Sequence, residues 1–214
     1  MPNVQHRDIP EAQLHETKGA STSTAGHVLT SIGGTAVFAA PVLVPGSTSQ
    51  GVYDYNDLTT ASTPIPLTLA ATRYKLTNDK AGAFTNTTYS LAGLDDVWVA
   101  GATNHFDWTN GTKLALGDTV DLRVDVEFVT STNNTEIKLD LDLGVGDAGA
   151  YTLPLIDGSN VATAGTTRRI IQFSIYMGDT TTLDFPAEIY ASASRTGTTV
   201  KVNGWFVRVL HTNT

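Results

Sequence analysis

"DTVDLRVDVEFVTS" at residues 118–131, followed by "TEIKLDLDLGVG" at residues 135–146, decides the fold class of this chain. Val120, Leu122, Val124, Val126 and Phe128 take every second position in the first run, and Ile137, Leu139, Leu141, Leu143 and Val145 do so in the second. A period of two is that of a β-strand, whose successive side chains point to opposite faces, so each run predicts a strand with one dry face and one wet face. A slip of one residue would put an entire apolar set into water, which restricts how the two strands can pair. Read as a hairpin with residues 131–134 as its loop, the pair sets Phe128 opposite Ile137, Val126 opposite Leu139, Val124 opposite Leu141 and Leu122 opposite Leu143. The outer face then pairs Glu127 with Lys138 and Arg123 with Asp142, but it also sets Asp125 against Asp140, a like-charge pair that destabilises a sheet. Solvent, salt and the nearby Arg123 and Lys138 are the expected relief, in preference to a bound divalent cation, because two carboxylates with no loop of further oxygen ligands make a weak site.

The same grammar continues on both sides. From Gly46 onward, strand-length runs alternate with Gly, Asn, Asp and Thr: "QGVYDYND", "TRYKLTND", "DDVWVAG", "RRIIQFSIYMGD", "PAEIYASAS" and "TTVKVNGWFVRVL". Short strands punctuated by turns predict an all-β, antiparallel sandwich or barrel. In the last run the apolar phase moves from Val200 and Val202 to Trp205, Val207 and Val209, which places a β-bulge at Gly204.

Toward the N-terminus the pattern dissolves. "HETKGASTSTAGHVLTSIGGTAVFAAP", His15 to Pro41, is dominated by small polar residues, and only "HVLTSIGGTAVFA" has the form of a small hairpin, with Gly33 and Gly34 at its turn. A lone hairpin is marginal in water, and the first 26 residues carry no periodic signal, so this part is expected to order against another surface. With "PVLVPGSTSQG" as a linker, the expected organisation is an extended arm over residues 1–45 and a head over residues 46–214.

Composition narrows the function. With 214 residues, 41% of them hydrophobic, the chain suits one β-rich domain plus an extension. A net charge of -8 with no Lys/Arg cluster opposes phosphate-backbone binding, so nucleic acid is not an expected partner. There is no cysteine for disulfides or thiolate ligands. No apolar run reaches the roughly 20 residues of a spanning helix, and "MPNVQHRDIPEAQLHE" lacks the apolar centre of a signal peptide, so neither membrane insertion nor a cleaved leader is expected.

Candidate chemistry is sparse. "GVGDAG" at residues 144–149 has the G-x-G-x-x-G spacing of dinucleotide sites, but a strand containing Pro154 follows it instead of a helix, which predicts a turn. Asp121, Asp125, Glu127, Asp140 and Asp142 alternate with core positions and read as a solvated sheet face. The five histidines lack a compact ligand spacing, and no G-x-S-x-G elbow, phosphate loop or cysteine nucleophile is present, so no catalytic, metal or cofactor residue is assigned. Trp98, Phe106 and Trp108 in "DDVWVAGATNHFDWTNG" either fill a core or stack on a sugar ring, with core filling preferred.

"HFDWTNGTKLALGDTVDLRVDVEFVTSTNNTEIKLDLDLGVG", with "IYMGDTTTLDFPAEIYAS" and "VKVNGWFVRVL", resembles the trimeric, tumour-necrosis-factor-like jelly-roll heads of tailed-phage structural proteins, and "IPEAQLHETKGASTSTAGHVL" resembles the N-terminal arms of phage virion proteins. The resemblance implies an antiparallel jelly-roll head that trimerises and a non-enzymatic capsid decoration or head-fibre protein on the virion surface. Its arm, through Ile9, Leu14, His15, Lys18, Gly19, Val28 and Phe38, would dock on the major capsid protein. The alternative is a tail-fibre or receptor-binding adhesin that recognises host surface glycans through Trp98, Phe106 and Trp108.

Overall fold

Alternation of apolar and polar residues produces long strands over residues 119–130, 135–143 and 198–212, whereas the runs at residues 72–79 and 95–101 give strands of only two residues. The computed structural model describes residues 28–32, 35–39, 48–109 and 114–212, and the chain divides into two units, Met1–Pro45 and Gly46–Thr214. In the first unit, β1 (Val28–Ile32) pairs antiparallel with β2 (Thr35–Ala39), from Val28 opposite Ala39 to Ile32 opposite Thr35. That register leaves Gly33 and Gly34, which lie outside the described residues, as the two connecting positions.

The second unit is built on eight principal strands: β3 (Thr48–Asn56), β5 (Tyr74–Lys75), β8 (Thr119–Thr130), β9 (Thr135–Leu143), β10 (Tyr151–Val161), β11 (Gly165–Tyr176), β12 (Glu188–Ala193) and β13 (Thr198–Thr212). One sheet has the order β11-β8-β13-β3, with β4 (Ile65–Leu67) also pairing β13, and the other has the order β10-β9-β12-β5. Every pairing is antiparallel. From β8 onward the chain changes sheet between β8 and β9, between β10 and β11, between β11 and β12 and again between β12 and β13. This alternation across two sheets is a jelly roll. Two short strands, β6 (Trp98–Val99) and β7 (His105–Phe106), pair with each other, and two short helices, α1 (Thr59–Ser62) and α2 (Thr180–Asp184), lie in connections.

The inward residues read from the sequence form the core. Val120, Leu122, Val124, Val126 and Phe128 on β8 are fully buried, as are Ile137, Leu139 and Leu141 on β9. Their partners correct the hairpin expectation. β8 is flanked by β11 and β13, while β9 is flanked by β10 and β12, so the two strands belong to different sheets and share no ladder. Residues 131–134 form the corner that carries the chain from one sheet to the other, with Asn134 in the left-handed region at φ 53° and Thr135 Oγ1 donating to Thr132 O at 2.6 Å. Asp125 and Asp140 therefore lie on opposite outer surfaces of the sandwich and do not meet.

Other local expectations hold. The ladder between β13 and β8 shifts register between Val202 and Gly204, which is the bulge that moves the inward phase from even to odd residues. The glycine-rich stretch after β9 is a turn, with Gly144 and Gly146 at φ 73° and 99°. Pro154, which cannot donate to a ladder, sits on β10 at a sheet edge.

Candidate interaction surfaces

The aromatic cluster is core. Trp98, Phe106 and Trp108 are 1%, 0% and 1% exposed, so their ring faces are sealed inside the sandwich, where they cannot stack on a sugar. The pairing of β6 with β7 sets Trp98 opposite Phe106, edge to face at 4.7 Å, and Phe106 stacks on Trp108 at 5.3 Å. Trp205 joins from β13, 5.7 Å from Trp98, and nothing in the local sequence signals a partner so distant along the chain. Trp98 Nε1 donates to Asn78 O at 2.8 Å, while Trp108 Nε1 and Trp205 Nε1 are buried without a hydrogen-bond partner among the described residues.

The acidic residues are paired with cations. Asp125, outward on β8, accepts from Arg168 of β11 through both carboxylate oxygens and from Asn203 Nδ2 at 2.9 Å. Burial alone would raise its pKa, but the bonds from Arg168 and Asn203 together hold it below the ordinary carboxylate value. Asp121 accepts from Ser174 Oγ at 2.5 Å and from Arg208 Nε at 3.0 Å, and the Ser174 bond leads the causes that lower its pKa. On the other sheet, Arg73 reaches Asp140 at 3.2 Å and Asp142 at 2.7 Å while its guanidinium lies 4.4 Å from the centre of the Tyr190 ring. Lys75 pairs with Glu188 at 2.6 Å. Spacing could mark these carboxylates as outward but not name their partners, because the cations arrive from strands 40 to 90 residues away in the chain, as Arg168 and Arg208 do. Among the described residues, no group of three or more His, Asp or Glu side chains is arranged to hold a metal ion.

The two outer sheet faces differ in kind. On the β11-β8-β13-β3 sheet, cross-strand rows mix apolar and charged residues. Phe206 lies between Arg123 and Asp54, with the Arg123 guanidinium 5.1 Å from the ring centre; Ile170 is opposite Asp125; Tyr176 and Leu210 flank Thr119. Ile170 is 59% exposed and Tyr176 is 65% exposed. The outer face of the β10-β9-β12-β5 sheet is polar, with Thr152, Asp142 and Glu188 in one row and Pro154, Asp140, Tyr190 and Lys75 in the next. An open depression of about 430 Å³ on that face is bordered by Arg73, Glu136, Lys138, Asp140 and Ser192.

Asp118 is a further polar residue in the interior. It accepts from His211 Nδ1 at 2.7 Å, from Thr212 N at 2.9 Å and from Ala115 N at 2.8 Å, which ties the end of β13 to the turn before β8. Of the residues assigned to the docking arm, Ile9, Leu14, His15, Lys18 and Gly19 lie outside the described residues. Val28 and Phe38 belong to β1 and β2, opposite Ala39 and Leu29.

No family model matches the chain, and no curated protein matches it. Solved structures that align with the chain include VP2 of the infectious bursal disease virus subviral particle, at 7% identity and a TM-score of 0.43 over 86% of this chain and 37% of that one. The PRD1 vertex protein aligns at 10% identity and a TM-score of 0.32, over 77% of this chain and 96% of that one. The Eiger TNF of S. frugiperda aligns at 7% identity and a TM-score of 0.33, over 78% and 92%. The chain thus spans little more than a third of the length of the bursal disease virus protein it matches.

Proposed function

We propose that this chain is a non-enzymatic structural protein of a phage virion, a homotrimeric capsid decoration or head-fibre protein whose N-terminal residues bind the major capsid protein. The observation that carries the reading is the division of the chain at Pro45/Gly46. Before it stand 45 residues whose described structure is a single hairpin of two five-residue strands, and after it stands a jelly roll with its own core. A hairpin of that size does not bury enough apolar surface to stand alone, so a partner surface gives it a reason to exist. Three such segments on one trimer would bind with avidity even where each contact is weak. The burial of Trp98, Phe106 and Trp108 removes the side chains on which the glycan-binding alternative rested.

The test is a deletion of residues 1–41. The truncated protein is expected to melt as a folded β-sandwich with unchanged oligomeric mass, and to be absent from particles assembled in its presence. Incorporation of the truncated protein at the level of the full chain would sink the proposal, and labelling of the tail instead of the head shell by the full chain would favour the adhesin.

A further inference from the structure

We infer that the depression on the outer face of the β10-β9-β12-β5 sheet is a binding site for an uncharged saccharide. The first observation is its floor. Ser192 lines the depression and is only 7% exposed, yet among the described residues its hydroxyl has no hydrogen-bond partner. The neighbouring hydroxyl behaves differently, since Ser194 Oγ is already taken by Glu136 N at 2.9 Å. A nearly buried hydroxyl left unpaired is costly, and Ser192 meets open space on the side of the depression, where a ligand group that both donates and accepts would satisfy it.

The second observation is the balance of charge in the lining. Arg73 and Lys138 stand there with Glu136 and Asp140, two cations and two anions. Each cation is shared by two carboxylates within the chain: Arg73 by Asp140 at 3.2 Å and Asp142 at 2.7 Å, Lys138 by Glu136 at 3.6 Å and Asp157 at 3.2 Å. An anionic ligand would have to take one of these cations from its carboxylates and then lie beside them. A cationic ligand would meet Arg73 and Lys138. A neutral polyol avoids both costs, because its hydroxyls donate to the carboxylates, accept from the guanidinium and the ammonium, and do both with Ser192.

The third observation is that the site is held in place before any ligand arrives. Glu136, Lys138 and Asp140 take alternate outward positions on β9, and Ser192 is in register with Lys138 on β12. Beside them Ala71 N donates to Ala193 O at 2.7 Å, which fixes the wall formed by the segment before β5. Its small methyl side chain leaves room there for the carbon-bearing edge of a sugar ring. Side chains already ordered by ion pairs on regular strands lose less freedom on binding than side chains on a loop. The volume of about 430 Å³ is that of a small-molecule site. The inference does not depend on what the N-terminal residues bind.

Titration of the full chain with a panel of neutral oligosaccharides and their sialylated or uronic-acid counterparts, followed by saturation-transfer NMR, tests this. A neutral member should bind, and added salt should change its affinity little, because no ion pair forms with the ligand. Ser192→Val should weaken binding about tenfold, the loss of one buried hydrogen bond, and Lys138→Gln, a change at an exposed side chain, should weaken it too. Ile170→Thr on the opposite sheet should leave it unchanged, and equal melting temperatures would show that all three variants are folded. Absence of binding by every neutral member at millimolar concentration overturns the inference. Binding of the acidic members alone, or binding lost steeply in salt, overturns it by making the ligand an anion. Neutral binding that survives both Ser192→Val and Lys138→Gln places the sugar elsewhere and overturns the site. Each of these outcomes leaves the capsid reading standing, since that is decided by the deletion of residues 1–41.

Discussion

Asp125 and Asp140 illustrate what pairing does to a charge. In a hairpin they would repel, and removing one would stabilise the fold; in the jelly roll Asp140 instead faces Arg73 at 3.2 Å. Asp140→Asn is therefore expected to destabilise, by less than about 1 kcal/mol because the pair is partly solvated, and the shift of the urea midpoint gives the sign. Asp79 makes the stronger case. Its carboxylate accepts from Leu58 N at 2.9 Å, Thr59 N at 3.0 Å, Thr59 Oγ1 at 2.6 Å and Ala81 N at 2.9 Å, and so closes the entry to α1. Burial would raise its pKa, but these bonds outweigh burial and lower it from 3.8 to about 2. A depressed pKa means that the contribution to stability is present above 3.8 and is lost as pH falls through about 2. Asp79→Ala should cost about 1 kcal/mol at neutral pH, as for loss of a capping residue, and thermal melts at successively lower pH should show the difference from wild type closing across that window.

At the scale of the element, the bulge in β13 joins two strands of opposite phase. Val202 pairs with Val126 and Gly204 with Asp125, which leaves Asn203 as the extra residue. Backbone groups at the bulge are taken up by α1 and its entry, where Thr60 Oγ1 accepts from Val202 N at 2.8 Å while donating to Asp57 Oδ2 at 2.6 Å, and Asp57 N donates to Asn203 O at 3.4 Å. Gly204 is needed because a Cβ there would lie 2.6 Å from Tyr55 O, a backbone atom of β3 that cannot swing aside. Gly204→Ala should therefore destabilise by about 1–3 kcal/mol, the cost of overpacking a tight site, and chemical denaturation would measure it. The bulge was legible in the sequence because it inverts a period-two pattern over many residues. β5 and β6, of two residues each, were legible only as longer apolar runs, since a two-residue strand is defined by its neighbour's ladder and not by its own alternation.

For the whole molecule, the prediction that matters is independence of the head. Its core draws on strands from β3 to β13 and on the Trp98–Phe106–Trp108–Trp205 cluster, all within Gly46–Thr214. Removal of residues 1–41 should then leave the melting temperature within a few degrees of the full chain, by calorimetry, since the head has its own core and a change of about 1 kcal/mol moves the melting temperature by only a few degrees. A collapse of the melting temperature would show that the head needs its N-terminal segment to fold.

The sequence by itself determined which face of each long strand is dry, because a period of two admits one solution in water: Val124 and Leu141 had to be inside, and Asp125 and Asp140 outside. It also placed the Gly204 bulge and the turn after β9, where backbone geometry demands particular residues. Only the tertiary structure decided which strands are neighbours. Alternation is satisfied equally when β8 and β9 pair in one sheet and when they belong to two different sheets, because either way each strand turns its apolar face to the core. The choice depends on ladders with β10 to β13, whose residues lie far along the chain, and with it came the partner of every outward charge and the burial of the aromatic cluster.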